Sequence, residues 1–347
     1  MNTKHIKVNS KDLSDLDMVA EAVRCGELVA FPTETVYGLG ANALDGEAVR
    51  SIFKAKGRPN DNPLIVHISD ISMLEVLVAE IKPDVQKLIS EFWPGPLTLV
   101  FHKAPYVPDE TTAGLDTVAV RMPDHPVALE LIKRSGVPIA APSANRSGRP
   151  SPTLAEHVAE DLDGRIAFII DGGACRVGVE STVLDVTSDP PLILRPGGVT
   201  FEMIKQVIGR VQIDKSFIEN RMEEKPKSPG MKYVHYAPKG EVIVVSGREE
   251  DVIQWVRQND QKDEKDGIHS VIIAASEHIP MYNSKRSMSY GSLANPEDIA
   301  ANIFRVFREC DRIGAEKIYV ESVPREGIGY AIMDRVEKAA GGRAVHI

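Results

Sequence analysis

From residue 13 to residue 209 the chain alternates short apolar runs, bounded by glycine, proline or hydroxyl residues, with longer stretches of helical periodicity. Few architectures accommodate that alternation. Apolar runs too short for helices pair as strands, and the helices between them must cover the faces of the resulting sheet. Strands are expected at 28–32, 64–68, 97–102, 118–122, 139–141, 167–170, 182–186 and 192–194. Helices suit 13–24, which Gly26 can terminate, and 48–56, 83–92, 126–134, 154–162 and 202–209. The outcome is a mixed α/β domain over 1–210, built around one large sheet.

The texture changes at 211–240, VQIDKSFIENRMEEKPKSPGMKYVHYAPKG, a polar stretch with three prolines that reads as a connector. Its second half gathers Met231, Tyr233, His235 and Tyr236 with Lys232, a composition suited to lying on a surface. A shorter α/β pattern fills 241–347, with strands expected at 241–245, 271–274 and 318–320 and helices at 251–258, 296–309 and 330–340. This implies a small three-layer unit with a parallel sheet. The stretch QNDQKDEKDG reads as a solvated charge run. A chain of 347 residues exceeds what one core usually organises, so two domains are expected.

The formal net charge of -9 opposes sequence-independent binding to nucleic acid or to an anionic membrane, which needs a broad positive surface. A local basic pocket remains compatible with it. The first residues, MNTKHIKVNS, carry no apolar targeting core, and no apolar run is long enough to suggest a membrane span. Cys25, Cys175 and Cys310 are odd in number and far apart, as suits reduced thiols in a cytoplasm.

Four strand ends concentrate polar groups. AFPTETVYGLGANA interrupts a strand with Thr33, Glu34, Thr35 and Tyr37 beside two glycines. In KAKGRPNDNPLIVHI, Lys54, Lys56 and Arg58 crowd the end of a helix before a strand that reaches His67. The cluster serves equally as a cap on the helix C terminus or as a grip for phosphates and carboxylates. PIAAPSANRSGRPSPT leaves a buried strand into Ser143, Asn145, Arg146 and Ser151, a loop that could also be a turn with Thr153 as a helix cap. DGGACRVGVESTVLDV delivers Glu180, Ser181 and Thr182 to a strand start, although a structural turn explains its glycines as well. Thr117 and Arg121 share a strand face in LDTVAVRMPDHP, and Arg195 ends the strand of LILRPGG. Arg or Lys beside Ser or Thr at several strand ends points to a ligand cleft, since open sheets bind at strand termini. No P-loop, HExxH, GxSxG or complete GxGxxG motif is present, so any ATP site is built from basic side chains and backbone amides.

These segments, in this order, resemble the YrdC-type domain of the threonylcarbamoyl-AMP synthases, and SPGMKYVHYAP with the trailing α/β unit resembles their two-domain form. The resemblance covers nearly the whole chain. It implies a YrdC-like mixed, twisted sheet with flanking helices, a small Rossmann-like C-terminal domain, and a nucleotidyltransferase. L-threonine, bicarbonate and ATP would yield threonylcarbamoyl-AMP and pyrophosphate, and separate proteins would place the threonylcarbamoyl group on a tRNA adenosine beside the anticodon. Carried over by position, Lys56, Arg58, Ser143 and Asn145 would orient the triphosphate and carbamate. Thr35, His67, Arg121, Ala141 and Ser181 would hold threonine. Arg58, Asn62, Thr117, Ser143, Ser151 and Arg195 would line the nucleotide side, with Tyr236 of the 211–240 lid closing over ATP. Magnesium is expected with the triphosphate and without a cage of protein ligands. An RNA-binding module without turnover is the rival from another class; overall acidity and a discrete basic set speak against it. A carbamoyl transferase of the hydrogenase-maturation type would carry zinc-finger and acylphosphatase-like segments that are not seen.

Overall fold

A computed structural model describes residues 2–8, 13–214 and 236–347. The surface-lying segment expected at the end of the connector falls outside the described residues, apart from Tyr236, Ala237 and Pro238. The described residues divide into two compact units, one of residues 2–147 and 151–214, the other of 148–150 and 236–347.

Among its described residues the first unit has eleven strands in one sheet: β1 (Lys4–Lys7), β2 (Val29–Phe31), β3 (Gly38–Asn42), β4 (Ile65–His67), β5 (Leu97–His102), β6 (Thr117–Arg121), β7 (Ile139–Ala140), β8 (Phe168–Asp171), β9 (Thr182–Asp185), β10 (Leu192–Arg195) and β11 (Gln212–Ile213). They lie in the order β1-β8-β2-β3-β7-β4-β6-β5-β9-β10-β11, with parallel pairs such as β4 with β6 and antiparallel pairs such as β5 with β6. This is the expected mixed sheet. Period-two alternation divides its residues between two cores. Val29 and Phe31 pack with Val19 and Val23 of α1 (Leu16–Arg24), while Ala30 joins Leu39 and Ile52 on the other face.

Helix α2 (Gly46–Lys56) shows how a local signal places a functional group. Asp45 Oδ1 accepts from the backbone N–H of Glu47 at 2.9 Å and of Ala48 at 3.2 Å, which satisfies donors the helix start leaves open. Gly57, at φ 63°, ends the helix in the left-handed conformation that glycine adopts without strain. Lys56 is therefore fixed in the last turn. α3 (Pro83–Phe92), α4 (Asp109–Thr112), α5 (Pro126–Ser135), α6 (Ala155–Leu162) and α7 (Phe201–Ile208) complete the unit's α-helices among the described residues.

Gly38 and Gly40 are the two glycines that follow the interruption of the strand in AFPTETVYGLGANA. Both lie in a strand antiparallel to β2, with Val29 opposite Gly40 and Phe31 opposite Gly38. A Cβ on Gly40 would stand 2.7 Å from both Ile139 Cγ2 and the Phe31 ring. These glycines make room for side chains above them, and the turn belongs to 32–37.

The second unit has a parallel sheet of β12 (Glu241–Ser246), β13 (Ser270–Ala275), β14 (Ser287–Gly291), β15 (Lys317–Glu321) and β16 (Ala344–His346), in the order β14-β13-β15-β12-β16. Val245, Ile272, Ala274 and Tyr319 pack with Val252, Ile253 and Val256 of α8 (Glu249–Lys265). Helices α9 (Ile279–Tyr282), α10 (Pro296–Arg312) and α11 (Gly329–Ala340) accompany the same sheet. The expected solvated charge run is instead the C-terminal half of α8. Asp260 and Asp263 turn inward: Ser270 Oγ donates to Asp260 at 2.7 Å, and Lys317 Nζ and Tyr319 Oη donate to the two Asp263 oxygens at 2.7 and 2.6 Å. Acidic residues three apart share a helix face, and that face meets donors on β13 and β15.

Candidate active site

The loop 32–37 is built from its own hydroxyls. Thr33 Oγ1 accepts from the N–H of Thr35 and of Val36, each at 3.2 Å, and donates to Val36 O at 2.6 Å. Backbone bonds then tie the loop outward. Val177 N–H donates to Glu34 O at 2.7 Å, Gly178 N–H to Thr35 O at 3.1 Å, Tyr37 N–H to Pro152 O at 2.8 Å, and Ala144 N–H to Tyr37 O at 2.8 Å. The segments carrying Ser143, Ser151 and Ser181 are thus fastened around Thr35.

Arg121 ends β6 directly beside His67, which ends β4 in the paired register. Its guanidinium is buried. Nη1 donates to Thr35 Oγ1 at 2.9 Å, Nε to Gly95 O at 3.3 Å, and Nη2 stands 2.5 Å from Glu34 Oε2. His67 is also buried, and its Nδ1 lies 3.1 Å from Ile65 O. Desolvation first, and then the positive charge of Arg121, push the imidazole pKa down to about 3. The ring is neutral at ordinary pH, with Nδ1–H donating to the Ile65 carbonyl. Ala141 N–H donates to Ile65 O at 2.9 Å, which brings the backbone after β7 to the same strand end.

Lys56 joins the second pair of segments. Its ammonium, on a residue only 3% exposed, donates to Ser143 O, to Asn145 O at 2.5 Å and to Asn145 Oδ1 at 3.4 Å. Ser143 Oγ donates to the same Asn145 Oδ1, and Asn145 Nδ2 donates to Arg146 O at 3.0 Å. Arg58, two residues on, places its Cζ 5.9 Å from the Phe53 ring centroid. The lysine that ends α2 thus holds the loop after β7 through that loop's carbonyl oxygens.

Ser181 meets Arg195, whose Nε and Nη2 donate to Ser181 O at 3.1 and 2.9 Å and whose Nη2 reaches Ser181 Oγ at 3.2 Å. Ser151 Oγ donates to Glu180 Oε1 at 2.5 Å. Asn62 is 1% exposed, and among the described residues neither its amide nitrogen nor its oxygen has a hydrogen-bond partner. Thr117 shares a face with Arg121 but opens β6 where Arg121 closes it, about 13 Å away along the strand. Tyr236 is described in the second unit, buried with its ring centroid 5.2 Å from that of Phe304 and 5.8 Å from the Arg335 guanidinium carbon.

Two buried residues at this strand end had no candidate role. Glu34 pairs with Arg121, and Thr98 shares a 2.7 Å hydrogen bond between its Oγ1 and Ser181 Oγ. The available signal was polarity at positions surrounded by apolar neighbours. Among the described residues, no three or more His, Cys, Asp or Glu side chains gather as a metal site, and no helix is long and apolar enough to cross a membrane.

A family model described as telomere recombination, that of the Sua5, YciO and YrdC proteins, matches residues 21–197. A model described as the C-terminal domain of threonylcarbamoyl-AMP synthase matches 199–341. The threonylcarbamoyl-AMP synthase of Pyrococcus abyssi is 50% identical over 330 residues, covering 95% of each chain. That of Bacillus subtilis is 49% identical over 354 residues, covering 99% of this chain and 100% of its own. The solved structure of P. abyssi Sua5 complexed with L-threonine matches with a TM-score of 0.95 at 48% identity, covering 99% of this chain and 100% of that one. With matching models across both of its units and relatives of this similarity along its length, the chain belongs to the threonylcarbamoyl-AMP synthase family.

Proposed function

We propose that this chain makes threonylcarbamoyl-AMP and pyrophosphate from L-threonine, bicarbonate and ATP, and that separate proteins transfer the threonylcarbamoyl group to tRNA. The observation that carries this reading is the buried Lys56 ammonium, which ties the turn of Lys56 and Arg58 to the loop of Ser143 and Asn145. A cation and hydroxyls preset at one strand end suit a reaction whose catalysis is mostly positioning and charge neutralisation. Carbamate formed on the threonine nitrogen attacks the α-phosphorus and pyrophosphate leaves, with no covalent enzyme intermediate.

Threonine is assigned to the cleft among Thr35, His67, Arg121, Ala141 and Ser181, in keeping with the L-threonine complex of the P. abyssi relative. Arg121 offers the substrate carboxylate a guanidinium, and the neutral His67 ring, whose Nδ1–H is already given to Ile65 O, packs beside it without donating to that carboxylate. Lys56, Arg58, Ser143 and Asn145 face the triphosphate and carbamate. The adenosine side falls to Asn62, Thr117, Ser151 and Arg195. The two unpartnered buried atoms of the Asn62 amide support this, because a purine edge supplies both a donor and an acceptor. Tyr236 is assigned to a lid that keeps water from the labile carbamate and adenylate. The cationic and hydroxyl side chains proposed to face the triphosphate, Lys56, Arg58 and Ser143, fit a magnesium ion held by phosphate oxygens and water. When bound, that ion supplies charge neutralisation on the triphosphate. The free thiols of Cys25, Cys175 and Cys310 support a cytoplasmic location.

The test is pyrophosphate release by the full chain with ATP, omitting L-threonine or bicarbonate in turn. Release should require both, and Lys56→Ala should lower it about a hundredfold while a thermal melt shows the protein still folded. Release that ignores either substrate would refute the reading.

A further inference from the structure

The Glu34 carboxylate sits in the loop 32–37 at 1% side-chain exposure, in ion-pair contact with Arg121 Nη2 at 2.5 Å. That contact is not aligned as a hydrogen bond. Among the described residues, both Glu34 carboxylate oxygens and Arg121 Nη2 lack a hydrogen-bond partner, although the other guanidinium nitrogens bonded to Thr35 and Gly95 are satisfied. Buried charged groups left this way are costly, and they are found where something else completes them. Here the vacancies have opposite character and lie side by side: the carboxylate oxygens call for a donor, and the guanidinium nitrogen calls for an acceptor. A zwitterionic α-amino acid carries both, an ammonium and a carboxylate on one carbon. Its entry also leaves the formal charge of the buried pair unchanged.

Resting on the reading of this cleft as the threonine site, we propose that Glu34 receives the substrate's amino group while Arg121 receives its carboxylate. Glu34 thereby restricts the site to molecules that carry an N–H beside the carboxylate. Once the nitrogen is a carbamate it still has one N–H, so the same carboxylate can hold that nitrogen in register through the adenylation step. The Glu34 backbone is already pinned by Val177 N–H, so the side chain reaches from a fixed point. In this role Glu34 is a substrate-binding residue, which differs from a strut that only orients Arg121.

The experiment separates the two roles. Calorimetric binding to the full chain is measured for L-threonine and for (R)-3-hydroxybutanoate, which is threonine without its amino group, in the wild type, Glu34→Gln and Glu34→Asp. The wild type should favour threonine, and Glu34→Gln should erode that preference roughly ten- to a hundredfold while binding of the desamino acid changes little. Glu34→Asp keeps the charge beside Arg121 but withdraws it by one methylene, so it should show the same loss of preference should the glutamine variant fail to fold. Parallel weakening of both ligands in the folded variants would overturn the proposal and leave Glu34 as a strut for Arg121. Wild-type protein that binds neither ligand would instead overturn the assignment of threonine to this cleft.

Discussion

His67 is held neutral by its surroundings, and that has a cost the whole protein bears in acid. In the unfolded chain the imidazole takes its proton at the ordinary value of 6.5, whereas in the folded chain burial and Arg121 delay protonation to about 3. The folded pKa is depressed, so the unfolded state binds the extra proton within that window, and stability falls as pH drops. This one group contributes a slope of up to about 1.4 kcal/mol per pH unit, starting below pH 6.5 and ending near pH 3. Denaturant midpoints measured from pH 7 to pH 4.5 should decline less steeply for His67→Gln than for the wild type; equal slopes would show that the folded imidazole protonates at its usual pH. Residues of this kind differ in how well sequence displays them. Lys56, Arg121 and Arg195 are legible because a charge at the end of a helix or strand stands out against its neighbours. Glu34 and Thr98 are not, since each depends on a partner remote in sequence, Arg121 for the first and Ser181 for the second.

At the scale of elements, strands such as β5 and helices such as α3 are visible because their apolar spacing and end signals agree. β3 is not, because its sequence GLGAN has the residues of a turn. Its glycines answer to tertiary packing, in that Phe31 and Ile139 occupy the space above Gly40. Gly40→Ala should therefore destabilise the first unit by about 1–3 kcal/mol through overpacking and lower its melting temperature by several degrees. An unchanged melting temperature would mean that the Phe31 ring can swing aside freely. The C-terminal half of α8 escapes sequence reading for the opposite reason. Its run of charges has the composition of a solvated surface, and only the donors on Ser270, Lys317 and Tyr319 make Asp260 and Asp263 interior residues.

For the molecule as a whole, each unit has its own apolar core. One includes Leu39, Ile52, Leu88 and Leu184, the other Val245, Val256, Ile272 and Tyr319. A chain ending at residue 214 should accordingly still unfold cooperatively in a thermal melt. If the connector and Tyr236 form a lid, that truncated chain should synthesise threonylcarbamoyl-AMP far more slowly than the full chain. Full synthesis by the truncated protein would end the lid reading. The break in apolar pattern after residue 210 is visible in the sequence, but the order of strands within the large sheet is not, because neighbours such as β2 and β8 come from opposite ends of the unit. That order also puts the two-residue β7 between β3 and β4, where Ala140 faces Ala41 and Val66 and Ile139 faces Asn42 and His67. The pairing runs on past β7, through Leu39 N–H to Pro142 O, Ala141 N–H to Ile65 O and a bridge between Gly38 and Ser143, so residues 138–143 stitch the two flanks of the sheet together. Thr35 lies between β2 and β3 on one flank, His67 and Arg121 end paired strands on the other, and the threonine proposed to touch all three would add one more stitch to that seam.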